Sequence, residues 1–182
     1  PSIEMRNLQK NFGQVTAVDD MNIEMRMGEV LCLLGHNGAG KTTAINLLTG
    51  LLKPTSGDAF VFGRSINSQI NEVRQSMGLC QQFDVLYEDL TIEEHLKLVC
   101  ELKCVEADEI PHEIRKTCEL VNLYRHKEKL VKQLSGGMKR KLSLGMALVG
   151  KSRLIILDEP TSGLDVNSRR QVWDLLKRIQ EK

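Results

Sequence analysis

Aromatic residues are scarce, at 4% of the 182-residue chain. That leaves too few rings for a platform on which nucleobases stack in series. No charge of one sign dominates: 25 Lys and Arg stand against 24 Asp and Glu, a net charge of +1. Bulk attraction to nucleic acid or to an acidic membrane is thereby excluded. No apolar run approaches the roughly 20 residues that cross a bilayer, and no signal peptide is visible at the start. If the protein serves a membrane, another chain or another part of its own does the spanning. Internal repeats, low-complexity segments and heptad runs are all lacking. The five cysteines, Cys32, Cys80, Cys100, Cys104 and Cys118, are odd in number and scattered. Cys32 and Cys80 lie in apolar runs, which predicts reduced core thiols in a cytosolic setting. Cys100 and Cys104 stand one helical turn apart, but no second His or Cys pair accompanies them, so a zinc site is disfavoured. Pro1 opens the chain and its last residues read as an unfinished helix, so an excised fragment is expected.

What is present is ordinary for a globular protein, 41% hydrophobic and 27% charged, and long enough for one domain with a core or one with an inserted lobe. The strongest local pattern is Gly35-His36-Asn37-Gly38-Ala39-Gly40-Lys41-Thr42, a G-x-x-x-x-G-K-[ST] phosphate loop. It follows Val30-Leu31-Cys32-Leu33-Leu34, which predicts a short buried strand. It precedes Thr43-Ala44-Ile45-Asn46-Leu47-Leu48, apolar at helical spacing. Glycines let backbone N–H groups face phosphate oxygens, and the helix start adds its positive dipole end. Lys41 would reach the β- and γ-phosphates and the Thr42 hydroxyl would ligate Mg²⁺. A chance glycine-rich turn is the alternative, disfavoured by the strand–loop–helix context.

Around this loop, residues 2–8 and 16–25 alternate as half-buried strands, with Phe12 between them. A ring there suits stacking on a nucleobase, but position alone favours a phenylalanine capping the strand pair. Residues 53–58 are dense in turn formers, and 59–62 and 77–81 read as strands separated by a short helix over 71–76. From residue 84 to 150 strand signals vanish. Thr91-Ile92-Glu93-Glu94 has the capping-box form and predicts a helix through Leu102. Further helices are predicted over 110–123 and 136–149. Residues 84–150 are thus expected to be an all-helical lobe inserted into a nucleoside-triphosphate-binding α/β core of residues 1–83 and 151–182. Leu154-Ile155-Ile156-Leu157 predicts a fully buried strand, and 167–182 an amphipathic helix. The expected fold is a mainly parallel sheet with an N-terminal antiparallel layer.

Two further groups carry chemistry. Asp158 and Glu159 end the apolar strand, where paired acids are costly unless something needs them. Asp158 would orient Mg²⁺ and Glu159 would polarise a water as general base; capping of the following helix is the alternative. Leu134-Ser135-Gly136-Gly137 opens a helix. An N-cap role explains Ser135 alone, whereas two glycines at a helix start suggest close approach of a ligand. The basic stretch Met138-Lys139-Arg140-Lys141, with Lys127, Lys129 and Lys132, reads as a solvated helix face rather than a headgroup site.

In order, the phosphate loop, Gln82, Leu134-Ser135-Gly136-Gly137, Asp158-Glu159 and Ser162-Gly163-Leu164-Asp165 resemble the nucleotide-binding domain of an ABC transporter, a P-loop NTPase fold. Cys80-Gln81-Gln82-Phe83-Asp84, LSGGMKRKLS from Leu134 and Arg169-Arg170 resemble the A subfamily, whose members move lipids or sterols. The resemblance implies an ATPase with ATP and Mg²⁺ as ligands. It implies Phe12 on adenine, Gly35, Asn37, Gly38, Ala39, Gly40, Lys41, Thr42 and Thr43 on phosphates, and Thr42, Gln82 and Asp158 at the metal. Glu159, Gln82 and Lys41 would act in hydrolysis. Ser135, Gly136 and Gly137 would meet the nucleotide of a second such domain, paired head to tail. The surface from Phe83 to Leu90 would meet a transmembrane domain at the cytosolic face of a membrane; no nucleic acid is implied. The family also has a histidine on a later strand, and His36, His95, His112 and His126 stand at the wrong positions for it, so weak hydrolysis is expected of this stretch alone. A soluble ABC-type ATPase of translation or DNA repair is the rival reading, disfavoured by the near-neutral charge and the lack of a coiled-coil insertion. A regulatory module that binds ATP with little hydrolysis stays open.

Overall fold

The computed structural model describes residues 1–150 and 152–180. They fall into two compact units, Pro1–Ser76 and the described chain from Met77 onward.

The first unit is built on β1 (Ile3–Phe12) and β2 (Val15–Met25), an antiparallel pair in which Ile3 faces Met25 and Phe12 faces Val15. β3 (Ser56–Val61) adds to the other edge of β1, and β4 (Arg64–Ser65) pairs with β3. The sheet order is β2-β1-β3-β4. Ile3, Met5, Leu8, Val18, Ala59 and Val61 point to one covered face. That alternation is what a sheet with one wet side produces. Helix α1 (Lys41–Leu48) buries Ala44, Ile45, Leu47 and Leu48, and α2 (Ile70–Ser76) buries Val73. Phe12 is the last residue of β1 rather than a residue between strands.

Residues 30–34 depart from expectation. They form no strand, and Val30 and Leu34 are 71% and 87% exposed. An apolar run becomes a strand only when neighbours satisfy its backbone on the sheet edges and cover its faces. None of the ladders among the described residues includes this run. Cys32 lies in it and is exposed, so it is not the core thiol expected, whereas Cys80 is buried.

In the second unit β5 (Met77–Cys80) pairs in parallel with β6 (Leu154–Leu157), Met77 facing Leu154 and Cys80 facing Leu157. β6 alternates, with Leu154 and Ile156 buried and Ile155 and Leu157 only half-buried, so it is not the fully buried strand expected. The helices are α3 (Ile92–Leu102), α4 (Ile110–Leu120), α5 (Gly136–Leu148) and α6 (Val166–Gln180). The capping box is formed: Thr91 Oγ1 accepts from the Glu94 N–H at 3.1 Å, and the Glu94 carboxylate accepts from the Thr91 N–H at 2.7 Å. α4 ends three residues earlier than expected, its last carbonyls taken up by the N–H groups of Val121, Asn122 and Leu123. One hydrophobic cluster runs from Cys80 through Leu96, Cys118 and Leu142 to Val172 and Leu175. Gly78 lets α5 lie directly on β5, since a Cβ there would overlap the Ala147 carbonyl.

Candidate nucleotide site

In the first unit the phosphate loop bridges an exposed segment and α1. Gly38 and Gly40 have φ of 84° and 85°, a backbone region nearly closed to other residues. Gly40 is also the N-cap of α1, and a Cβ on it would strike the Ala17 carbonyl of β2. The loop is therefore anchored at the helix start, with its own backbone presented outward. Gly40 offers α1 no side-chain cap, and a helix start without one favours an anion. The Lys41 ammonium lies over the loop and donates to the Gly35 and His36 carbonyls at 2.6 and 3.0 Å. His36 Nδ1 lies 2.8 Å from the Asn37 carbonyl. Asn37, Ala39 and Thr42 are exposed and Thr43 is half-buried. Phe12 is 48% exposed, and its ring is taken on one face by the Lys10 ammonium, 5.2 Å from the centroid.

In the second unit Asp158, 7% exposed, follows the tip of β6, and its N–H donates to the Cys80 carbonyl at 2.9 Å. Glu159 is exposed and has φ of 44°, left-handed backbone that a glutamate adopts at a cost of about 1 kcal/mol or more. Gln82 Nε2 donates to Glu159 Oε2 at 3.0 Å, so two of the three sequence candidates for hydrolysis meet. Among the described residues no three His, Cys, Asp or Glu side chains cluster as a protein-made metal cage. A buried carboxylate such as that of Asp158 is a ligand type suited to Mg²⁺, which takes most of its other ligands from water and phosphate.

Ser135 is the N-cap of α5, its Oγ accepting from the Met138 N–H at 3.3 Å. The two glycines after it separate in meaning. A Cβ on Gly136 would meet nothing within 4 Å, whereas one on Gly137 would strike Ser168 Oγ at the start of α6. Packing against α6 thus gives Gly137 a reason of its own, besides any ligand, whereas the space a Cβ would take at Gly136 is open. Asp165 caps α6, accepting from the Asn167 and Ser168 N–H groups at 3.0 Å each. Hydrogen bonds from Ser168, its hydroxyl foremost and then its N–H, hold the Asp165 carboxyl below the ordinary value.

Sequence reasoning missed two buried polar residues. Arg140 is not on a solvated face: it is 3% exposed and donates into the segments around Gln82 and Glu159. The signal was its spacing, since Arg140, Leu144 and Ala147 repeat at helical intervals on the buried side of α5. His95 is wholly buried in α3; its Nε2 accepts from the Tyr87 N–H and its Nδ1 faces the Thr91 carbonyl, both at 2.9 Å. A ring that accepts at Nε2 carries its proton on Nδ1. His95 thereby pins the segment that exposes Phe83, Val85 and Tyr87.

Comparison with known proteins bears on the family. Residues 18–162 match the family described as ABC transporter. The chain is 44% identical over 180 residues to the human phospholipid-transporting ATPase ABCA3, covering 97% of this chain and 11% of that protein. It is 44% identical over 178 residues to the glucosylceramide transporter ABCA12 of Mus musculus, covering 97% of this chain and 7% of that one. The chain therefore spans about a tenth or less of the length of these relatives. Among solved structures it is similar to the ATP-binding subunit of an ABC transporter, with TM-score 0.87, 26% identity and coverage of 100% and 75%. It is also similar to a dimeric ATP-binding cassette in a post-hydrolysis state with ADP and Pi, with TM-score 0.85, 25% identity and coverage of 98% and 83%. The chain belongs to the ABC transporter family, as one of its nucleotide-binding ATPase domains.

Proposed function

We propose that this domain drives a lipid-moving membrane transporter by binding Mg-ATP, pairing head to tail with a second such domain, and hydrolysing the nucleotide. The carrying observation is the Gln82–Glu159 contact of 3.0 Å beside the buried Asp158. The loop amides from Gly35 to Thr43 would hold the phosphates, and Lys41 would exchange the Gly35 and His36 carbonyls for β- and γ-oxygens. Thr42, Gln82 and Asp158 would orient Mg²⁺, whose charge offsets that of the phosphates. Phe12 would stack on adenine once the Lys10 ammonium swings aside. Gln82 orients a water whose oxygen attacks the γ-phosphorus. Glu159 takes its proton as the bond to the β-phosphate oxygen breaks, leaving ADP and phosphate. Ser135 and Gly136 of the partner domain would meet the γ-phosphate, with Gly137 keeping that helix tip close to α6.

Residues 84–150 would act as the signature-bearing lobe of a core formed by 1–83 and 151–182. The exposed Phe83, Val85 and Tyr87 would meet a transmembrane domain at the cytosolic face. No helix among the described residues is long and apolar enough to cross a membrane, so the spanning elements would lie elsewhere. Lipid as cargo is supported by the names of the relatives, a phospholipid-transporting ATPase and a glucosylceramide transporter. The test is calorimetry on Lys41→Ala. Removing the ammonium from a loop otherwise made of neutral amides is expected to abolish measurable ATP binding; parental affinity would refute the assignment.

A further inference from the structure

Arg140 is the one arginine among the described residues that is buried, at 3% exposure, and nothing in the proposed chemistry uses it. Its guanidinium divides its donors between two chain segments. Nε donates to the Pro160 carbonyl at 2.7 Å, and Nη2 to the Asp158 and Glu159 carbonyls at 3.3 Å each. Nη1 donates to the Gln81 carbonyl at 2.6 Å, to Asp84 Oδ1 at 3.0 Å and to the Gln82 carbonyl at 3.4 Å. The two segments are those that carry Gln82 and Glu159, whose side chains meet. Asp84 is the sole carboxylate in this set, and it is partly exposed.

A buried salt bridge such as Arg140–Asp84 is weak evidence for stability. The geometric use of Arg140 is clear. Glu159 keeps a left-handed φ of 44°, and such a backbone persists only where its surroundings over-determine it. Bonds from one rigid fork to the carbonyls on both sides of that residue, and to its own, do this. Lysine cannot substitute, because its ammonium has three donors on one atom and no planar fork with which to span both segments. Arg140 also stands in the second turn of α5, the helix that Ser135 caps. The tip presented to a partner's nucleotide is therefore fixed to the residues that act on this domain's own.

Resting on the proposed roles of Gln82 and Glu159, we infer that Arg140 is a positioning residue for hydrolysis: it holds Glu159 in its strained backbone and in register with Gln82, and ties both to the signature helix. The test is made on the full-length transporter, with ATP affinity and kcat per nucleotide-binding site measured for Arg140→Met and Arg140→Lys. Both are expected to lower kcat by about 100-fold, the scale of an ångström misplacement of a reacting group, with ATP affinity within about twofold of the parent because the phosphate loop is untouched. A purely structural arginine would reduce the amount of folded protein but not kcat per site. Unchanged kcat per site in either variant overturns the inference. If neither variant folds, Asp84→Asn decides: it removes the charged partner and leaves the carbonyl bonds, and kcat should fall by about tenfold and recover in Asp84→Glu. Parental kcat in Asp84→Asn overturns the inference. Lys41→Ala, run alongside, separates the two levels: retained hydrolysis there refutes the site reading, whereas loss there with normal Arg140 variants refutes only the role given to Arg140.

Discussion

Single atoms decide a good deal in this chain. Gly78 is a strand residue with no unusual φ, yet it has no room for a methyl group because the Ala147 carbonyl lies against it. Gly78→Ala must push α5 off β5, and overpacking of this kind costs about 1–3 kcal/mol. Thermal unfolding should show a midpoint lowered by several degrees, on the scale of about 2–4 °C per kcal/mol; an unchanged midpoint would mean that the helix and strand are not in contact as described. The cysteines separate by environment in the same way. Burial pushes the Cys80 and Cys118 thiols up to about 11 and raises Cys100 as well. Raised thiol values keep the unreactive protonated form at neutral pH. With iodoacetamide at pH 8, mass spectrometry should find Cys32 and Cys104, the exposed pair, labelled first. Early labelling of Cys80 would contradict its burial.

At the scale of elements, α3 was legible from Thr91 to Leu102 because its signals are local: a capping box, then apolar residues at helical spacing. Thr91→Ala removes the acceptor for the Glu94 N–H and one donor to the Glu94 carboxylate, at about 1 kcal/mol. Glu94 adds a pH dependence. Hydrogen bonds from Thr91, the backbone one foremost, hold its carboxyl below the ordinary 4.5. Its stabilisation is therefore complete above that value and is lost as pH falls through the lowered one. Acid titration of the unfolding midpoint should show a shallower acid limb in Thr91→Ala than in the parent; superimposable limbs would deny the cap. What sequence could not show depends on partners. Residues 30–34 carry a strand's composition, but a strand is a property of pairs. Arg140 sits in a run of cations that reads as solvated, and only tertiary contact reveals that its fork faces backbone carbonyls. The second glycine of the signature likewise answers to Ser168 as well as to any ligand.

At the scale of the whole molecule, the order of the motifs was legible because each requires its own local context and their sequence along the chain is specific. How two copies act together is a matter of mass action. If the Ser135 helix tip meets a γ-phosphate held by a partner, closure depends on ATP and is released when hydrolysis removes that phosphate. Glu159→Gln tests this directly. The amide keeps the size of the side chain and can still hydrogen-bond Gln82, but it cannot accept a proton in the general-base role proposed for Glu159. Phosphate-loop contacts are untouched, so ATP affinity should hold while turnover falls by about 100-fold or more. The undischarged γ-phosphate then keeps both tips engaged. On a sizing column in saturating Mg-ATP the complete nucleotide-binding domain carrying Glu159→Gln should elute as a dimer, and the parent mainly as a monomer. With Mg-ADP both should be monomers. Elution of Glu159→Gln as a monomer with ATP bound would mean that the nucleotide is not shared between domains. A dimer that persists in Mg-ADP would mean that the interface does not read the γ-phosphate.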